Sequence, residues 1–558
     1  MRLFSTLILL LLLLIPQAPV KAKETFTKGI NLSEWFQANS VRDIQFTKFT
    51  KKDFQEIKSL GCDVIRLPIN LHAMAGGAPD YQIDPLFFRF LDEAVDICDE
   101  LGISLILDNH TFDPSVSTKA SVEKVLLKVW AQIAGRYRDR RDFLYYEILN
   151  EPHGIAPSTW GRISFNVLKK IREIDNKHTV IVGGANWNDI DSLYLLPDFK
   201  DDNIIYTFHF YDPFIFTHQG ANWTDPSLVS LQGVPYPYDQ TRMPSCPKKL
   251  RNTWIEGNLQ DYYKNGNNEA LEVLLTKAVK FRKKTGKPVY CGEFGVYNRN
   301  ASNEDRVYWY ESVRKIFEKY SVPWTSWDYR SGFGLFIRDT DEKFEYDLNL
   351  PLLKALGFNE VPQTEFKLQP ETDGFGIFNQ YPAQGLSVYR YLSQGTIDIY
   401  DNTVTDNQRF VIKMENLARY NFLRFEFKPI KDLSLLLKQK YNIVIKLKLQ
   451  PNFNSTDIRF LAVREDDPLA LPWRMVYTLD KRTLRNTSDW QTVVIPLEKF
   501  NEQGAWKDKW YDPKGLFDWG RVVALEIVAE NEEWRNTGIY IEEIKLNNIG
   551  EGSPDERL

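Results

Sequence analysis

The first 360 residues alternate short apolar runs with longer stretches in which apolar residues recur at helical spacing. "VIRLPI" at 64–69 and "IIYTFHF" at 204–210 are typical of buried strands. "PLFFRFLDEAVDICDEL" at 85–101, followed by Gly102, predicts an amphipathic helix with a glycine stop. Alternation of this kind predicts a parallel sheet whose strands are joined by crossover helices.

The same region contains eight strand candidates. They lie at 29–32, 64–69, 104–109, 144–150, 179–184, 204–210, 288–294 and 324–329. An open doubly wound sheet usually carries a glycine-rich phosphate turn after an early strand, and this sequence has none. We therefore predict an α/β TIM barrel, (β/α)8, over residues 23–360.

The pattern changes after about residue 360. Short alternating runs such as "YNIVIKLKLQ", "WQTVVIPL" and "GIYIEEIKLNN" are separated by Asn, Asp, Gly and Pro, and long helical patterns are nearly absent. This predicts an all-β jelly-roll sandwich over residues 368–550. Residues 361–367 read as a linker and residues 551–558 as a C-terminal tail.

The N-terminus "MRLFSTLILLLLLLIPQAPVKA" has a basic residue, an apolar run and Val20-Lys21-Ala22, which suits signal-peptidase cleavage. We interpret residues 1–22 as a signal peptide. The alternative is a retained membrane anchor, which the short apolar run disfavours. The mature chain is then expected to be secreted, extracellular or periplasmic, without a membrane span, although association with the cell surface stays open.

Composition narrows the classes of partner. The chain has 70 Lys and Arg against 75 Asp and Glu, a net charge of -5, which argues against nucleic-acid binding. Four cysteines in 558 residues do not form a disulfide framework, although a bridge between Cys246 and Cys291 is possible. We expect a monomer.

Polar, aromatic or acidic side chains lie at the carboxyl ends of nearly all the strand candidates. In a TIM barrel these ends form the catalytic face. The candidates are Arg66, His110, Asn150, Glu151, Trp187, His209, Tyr211, Glu293 and Trp327.

Two of these residues, Glu151 and Glu293, suit hydrolysis of a glycosidic bond. That reaction needs one carboxylic acid to protonate the leaving oxygen and one carboxylate to attack the anomeric carbon or direct water to it. Their pKa values must differ, and Arg66 near Glu293 would keep one carboxyl ionised. Pro152 is expected to end the strand and to fix the direction of Glu151.

The remaining candidates have supporting roles in this hypothesis. Asn150 can donate a hydrogen bond to a sugar 2-hydroxyl. Tyr211 can orient the nucleophile, and Trp327 offers a flat apolar surface to a pyranose ring.

Each residue also has a simpler interpretation. Glu147 is expected to form a buried ion pair with Arg66. His110 and His209, taken singly, could be core histidines, and Trp187 a core aromatic, while His153 and His218 read as loop residues. A metal site built from Asp108, His110, His209 and Glu293 is conceivable, but no closely spaced histidine pair supports it.

The ordered set Arg66, His110, Asn150, Glu151, His209, Tyr211, Glu293 and Trp327 resembles the pattern of glycoside hydrolase family 5, over about residues 25–357. The resemblance implies retaining double displacement, with Glu151 as acid and base, Glu293 as nucleophile, and their carboxyls about 5 Å apart. It also implies that neither a metal nor an organic cofactor takes part. The segment 212–267, rich in Trp, Tyr and Pro, does not map onto the family core and is expected either to shape the cleft or to pack as a surface insertion.

The C-terminal region more loosely resembles jelly-roll carbohydrate-binding modules of the family 11 type. Trp473, Trp506, Trp510 and Trp534 are available for stacking on sugars or for core packing.

Together the two resemblances imply an endo-β-1,4-glucanase acting on β-glucan. Mannanase, xyloglucanase and exo-acting β-glucosidase or glucan 1,3-β-glucosidase are alternatives. A non-catalytic carbohydrate-binding protein is the alternative from another class.

Overall fold

The computed structural model describes residues 26–111, 113, 115–405, 408–485 and 488–548. The predicted signal peptide and the predicted C-terminal tail lie outside this part of the chain. Across the described ranges, no helix combines the length and apolarity needed to cross a bilayer.

Eight parallel strands close into a barrel in chain order, so the predicted TIM barrel is confirmed. The strands are β1 Lys28–Asn31, β2 Val64–Ile69, β3 Ser104–Asn109, β4 Leu144–Glu147, β5 Thr179–Gly183, β6 Ile204–Phe210, β7 Val289–Phe294 and β8 Trp324–Ser326. All eight coincide with the candidates from the sequence, although β4 and β8 are shorter.

The end of β4 corrects one expectation. The ladder between β4 and β5 stops at the Glu147–Ile181 pair, five residues before Pro152, so the proline does not end the strand. The loop beyond β4 is still tied to β3, because the Asn150 amide donates to the Asn109 carbonyl at 2.9 Å. Glu151 turns this loop with a left-handed backbone, φ 43°.

Ten helices lie in or beside the barrel in the described ranges. They are α1 Lys51–Ser59, α2 Pro85–Leu101, α3 Val122–Tyr137, α4 Pro157–Arg172, α5 Phe214–Thr217, α6 Trp254–Gln260, α7 Tyr262–Asn265, α8 Asn268–Thr285, α9 Asn303–Tyr320 and α10 Leu350–Ala355. In α2 the Asp84 side chain caps the first turn, and Gly102, at φ 66°, ends the helix as predicted.

The barrel interior changes from apolar to charged along the strands. Its lower layer is a separate apolar cluster made of Phe26, Val64, Ile106, Tyr145, Ile181, Ile205 and Tyr290. Side chains two positions further along a strand point to the same interior. On β2, β3 and β4 these are Arg66, Asp108 and Glu147, all buried. The apolar layer therefore supports a charged layer directly beneath the catalytic face.

Residues beyond 370 form two packed antiparallel sheets, which confirms the predicted sandwich. The strands are β9 Gly376–Asn379, β10 Tyr381–Pro382, β11 Leu386–Tyr391, β12 Thr396–Asp401, β13 Val411–Glu415, β14 Phe422–Lys431, β15 Asn442–Leu449, β16 Thr456–Ala462, β17 Trp473–Leu479, β18 Gln491–Pro496, β19 Asn501–Lys507, β20 Lys509–Tyr511, β21 Val522–Val528 and β22 Gly538–Asn547, with one short helix, α11 Ser434–Lys438. The second sheet has the strand order β11-β14-β21-β16-β17-β19-β20.

The passage between the two domains lies close to the predicted linker. The Thr364 amide still bonds to the barrel, at 2.9 Å from the Glu345 carbonyl, whereas the Glu371 amide bonds to the sandwich, at 2.8 Å from the Asp432 carbonyl. The exact boundaries stay a prediction.

The two domains pack closely through the loop that follows β1. The centroid of the Phe46 ring lies 4.7 Å from the ring centroid of Phe90 of the barrel and 5.1 Å from that of Tyr381 of the sandwich. The Tyr400 hydroxyl donates to the Ile44 carbonyl at 2.5 Å and accepts from the Phe46 amide at 3.0 Å.

All four cysteines are free, so Cys246 and Cys291 do not form the bridge that the sequence left open. Cys62 and Cys98 are buried in the barrel core, as their apolar surroundings indicate.

Candidate active site

Arg66 lies at the centre of the charged layer and is fully buried. Its guanidinium donates to Glu147 at 2.8 and 2.9 Å, to Glu293 at 2.7 Å, and to the side-chain oxygens of Asn31 and Asn150 at 2.9 Å each. An Asp108 oxygen lies 3.0 Å from it. All three nitrogens of the group therefore have partners, and its orientation is fixed.

The protonation of Arg66 follows from its neighbours. Burial opposes its charge, but the nearby carboxylates of Asp108, Glu147 and Glu293 outweigh burial and raise the pKa of Arg66 well above its usual value. The ion pair expected between Arg66 and Glu147 is present and has two hydrogen bonds.

Glu293, at the end of β7, receives two hydrogen bonds from different sides. Arg66 donates to one carboxylate oxygen, and the Tyr211 hydroxyl donates to the other at 2.9 Å. Burial and the neighbouring carboxylates of Glu293 and Glu151 raise the pKa of Tyr211 well above 10, so its hydroxyl remains a donor.

Glu151 faces Glu293 from the loop after β4. Burial raises the pKa of Glu151 to about 8, so the group is protonated at neutral pH. One of its oxygens lies 2.7 Å from Nδ1 of His209. Burial lowers the pKa of His209 to about 4, so its ring is neutral. Ligand atoms of Glu151, His209 and Glu293 all lie within 4.8 Å of one another.

His110 and Trp327 form a second wall of the site. Their rings stack with centroids 5.4 Å apart and planes inclined by 14°. Nδ1 of His110 lies 2.7 Å from Asp108, and Nε2 lies 3.4 Å from the Asn150 amide nitrogen. Burial lowers the pKa of His110 to about 4. The Trp327–Asp328 peptide bond is cis.

Trp187 is tied to the loop that carries Glu151, because its backbone amide donates to the Pro152 carbonyl at 3.2 Å. Its ring stacks on His153, with centroids 4.8 Å apart and planes inclined by 12°, and 44% of the tryptophan is exposed. Trp187 is thus a surface platform and not a core residue, whereas His153 is buried beneath it.

The segment 212–267 contributes a further aromatic group that sequence reasoning did not single out. Trp223 is 42% exposed and lies edge-on to Tyr297, with ring centroids 4.8 Å apart. Phe333 lies 6.2 Å from Trp223 and 6.1 Å from Tyr211. Trp223, Tyr297 and Phe333 lie in loops, where the sequence has no helical or strand periodicity that would predict their position. Asn31, also missed, could have been found because it ends the first strand.

Glu151, His209 and Glu293 form the one group of potential metal ligands in the described ranges. The Arg66 guanidinium, a permanent cation, lies 2.7 Å from Glu293. A second cation at this position would be repelled, so the donor set does not fit a metal well.

Comparison with known proteins identifies the family. The model of the family "Cellulase (glycosyl hydrolase family 5)" matches residues 21–332, which include every site residue described above except Phe333. The chain belongs to glycosyl hydrolase family 5. It is therefore a glycoside hydrolase.

Similar family members include Endoglucanase C of Acetivibrio thermocellus, which is 31% identical over 319 residues, covering 55% of this chain and 92% of the relative. Endoglucanase 3 of Fibrobacter succinogenes is 30% identical over 338 residues, covering 56% of this chain but only 51% of the relative. The crystal structure of endoglucanase Cel5A from Thermotoga maritima has a TM-score of 0.50 at 31% identity, covering 59% of this chain and 96% of that chain.

Proposed function

We propose that this family 5 enzyme is a retaining endo-β-1,4-glucanase. The observation that carries the proposal is the close approach of Glu151 and Glu293, whose nearest oxygens lie within 4.8 Å. Carboxyls about 5 Å apart suit direct attack on the anomeric carbon, whereas inverting enzymes need a wider gap that holds a water molecule.

In the first step Glu151 donates its proton to the departing glycosidic oxygen. A pKa of about 8 keeps this proton in place at neutral pH. Glu293 then forms a bond to the anomeric carbon as the bond to the leaving sugar breaks. Arg66 and the Tyr211 hydroxyl, at 2.7 and 2.9 Å, hold the carboxylate in the orientation for attack.

In the second step Glu151, now ionised, takes a proton from water, and the water oxygen displaces Glu293 from the anomeric carbon. Each step inverts the anomeric centre, so the product keeps the configuration of the substrate. Neutral His209, 2.7 Å from Glu151, positions that carboxyl in both steps.

The other site residues are proposed to bind sugar. Asn150 is held by Arg66 through its oxygen, at 2.9 Å, which directs its amide nitrogen to His110 and the cleft. Trp327, stacked on His110, supports the pyranose ring at the cleavage point. Trp187 is a platform for the leaving side of the chain.

The relatives support a cellulose-like substrate and cleavage within the polysaccharide chain, because several of them are named endoglucanases. The comparisons do not favour mannan, xyloglucan or single-glucose release. We also propose that the sandwich binds glycan and that the chain is secreted.

The test is reducing-sugar release from carboxymethylcellulose, barley glucan, xyloglucan, mannan and laminarin, with product sizes recorded. We expect activity on the first two, mixed oligosaccharide products and a rapid fall in viscosity. Proton NMR of the initial product should show the β anomer. Release of glucose alone, the α anomer first, or no hydrolysis would each overturn the proposal.

A further inference from the structure

The second sheet of the sandwich has one face that is not part of the core. Residues paired directly across antiparallel strands share a face. The pairs Tyr389–Arg424, Arg424–Glu526 and Glu526–Arg459 form one continuous row across four strands. Phe425, Leu525 and Phe460, one position along, point instead into the main core. We call the face that carries Arg424 the outer face.

Both ends of the outer face carry exposed aromatic rings. At the β11 end, Tyr389 and Tyr391 are 51% and 48% exposed. At the opposite end, Trp506 and Trp510 pair across the β19–β20 hairpin and are 58% and 43% exposed. The two ends are six strand spacings apart, roughly 29 Å along the sheet.

The middle of the outer face is polar and buried. Asp457, Glu526, Arg459 and Arg474 are only 1%, 2%, 5% and 7% exposed. Among the described residues, Nε of Arg459 and both Nε and Nη2 of Arg474 have no hydrogen-bond partner. Unsatisfied buried donors are costly, and such groups usually have a partner in the functional state.

The charges on the outer face nearly cancel. Three arginines, Arg424, Arg459 and Arg474, are accompanied by four acids, Glu426, Asp457, Glu526 and Glu530, of which Glu526 lies 2.6 Å from Arg424 and 3.6 Å from Arg459. A site for an anion would carry excess positive charge. Free donors without excess positive charge, between flat aromatic rings, suit a neutral ligand rich in hydroxyl groups.

The β11 end of the outer face adjoins the barrel. The Val388 amide donates to the Gln45 side-chain oxygen at 3.0 Å, and the Arg390 guanidinium donates to the Arg42 carbonyl at 2.8 Å. Gln45 and Arg42 belong to the loop after β1, which leaves the barrel at its catalytic face. The line of aromatic and polar groups therefore starts at the rim of the catalytic domain.

We propose that the outer face binds a single neutral β-glucan chain lying across the strands, from Trp506 and Trp510 to Tyr389 and Tyr391, with one end directed to the barrel. This inference rests on the proposed glucanase function for the choice of glycan. Trp473 and Trp534, buried at 3% and 2% exposure, take no part.

The test uses the full chain with Glu293→Gln, which prevents turnover. Depletion isotherms on insoluble cellulose are compared for this parent, a Trp506→Ala/Trp510→Ala variant, a Tyr389→Ala/Tyr391→Ala variant and a Tyr263→Ala control. Tyr263 is 54% exposed on α7 of the barrel. We expect at least a tenfold loss of affinity in each double variant and the parental isotherm in the control.

The same double variants in the active background are assayed on cellulose and on a short soluble cello-oligosaccharide. We expect the ratio of the two rates to fall at least fivefold. Parental isotherms in both double variants, with unchanged thermal unfolding, would overturn the outer-face site. Absence of hydrolysis in the active parent would instead overturn the glucanase proposal, while tighter binding to mannan or laminarin would overturn the choice of β-1,4-glucan.

Discussion

Two buried arginines, Arg66 in the barrel and Arg474 in the sandwich, show how the same side chain serves different purposes. All three nitrogens of Arg66 have partners, and surrounding carboxylates raise its pKa. For Arg474, burial lowers the pKa to about 10, the nearest acid, Glu530, is 4.0 Å away, and the guanidinium lies over the Trp510 ring at 4.5 Å.

The difference shows which of the two arginines still has hydrogen-bond donors available for a ligand. Every nitrogen of the Arg66 guanidinium is already hydrogen-bonded to protein groups, so Arg66 can orient Glu293 without moving during the reaction. Arg474 keeps donors unused among the described residues. The first arrangement is typical of a preorganised catalytic site and the second of a surface completed by its ligand.

The largest expected effect comes from the acids that Arg66 organises. Glu151→Gln should lower kcat on cellulose derivatives by about 10²–10⁴-fold, because the leaving oxygen loses its proton donor. An aryl cellobioside with an acidic phenol needs little protonation and should lose far less in its first step. The ratio kcat/KM, which reports the first step, is compared for the two substrates, and equal losses of kcat/KM would contradict the role of Glu151 as acid.

Substituting the two arginines by methionine tests the comparison directly. Arg66→Met leaves Asp108, Glu147 and Glu293 without their cation and should lower the free energy of unfolding by about 3–5 kcal/mol. Arg474→Met should change it by less than about 1 kcal/mol, since Glu530 keeps Arg459 as a partner. Urea-induced unfolding measures both, and a similar loss in the two variants would refute the distinction.

The pH dependence of activity sharpens the description of the barrel site. Glu151 must be protonated to act as acid, and burial places its pKa at about 8. The ratio kcat/KM should therefore fall about tenfold per pH unit above pH 8. In Glu151→Gln this alkaline decrease should disappear from the residual activity. Retention of the same decrease in the variant would assign it to another group.

The smallest expected effect concerns Trp223 at the edge of the cleft. Trp223→Ala should raise KM on long glucans about threefold to tenfold, the equivalent of about 0.5–1.5 kcal/mol for one aromatic contact, with little change in kcat. Tyr263→Ala, in the same insertion, is the matched control. Equal KM and kcat values for the two variants would indicate that the segment 212–267 only packs against the barrel and does not bind glucan.

The sequence predicted the barrel well because its strands are buried and continuous. β2, β3 and β6 have the predicted bounds, and side chains at strand ends are brought together by closure of the barrel. Eight strands of the sandwich, β9 to β12, β14, β17, β19 and β20, were not among the runs recognised in the sequence. β14 has the same alternation of apolar and charged positions as the strands that were recognised, so it could have been found, whereas β19, "NEQGAWK", is polar along most of its length and has no such pattern.

The details of the site that were not predicted depend on loops. Nothing in "EILNEPHG" indicates that the strand ends at Glu147 or that Glu151 adopts a left-handed backbone. The burial that raises the pKa of Glu151 also arises from several chain segments at once. The order of the site residues along the chain was enough to identify them, but it does not show what surrounds each side chain in the fold.

The Phe46 ring, enclosed by Phe90 and Tyr381, has a practical consequence for how the protein can be divided. A cut near residue 365 would expose these rings to water and leave the Ile44 carbonyl without its tyrosine partner. Separately expressed halves should therefore be prone to self-association, and the two domains are best regarded as one unit of folding.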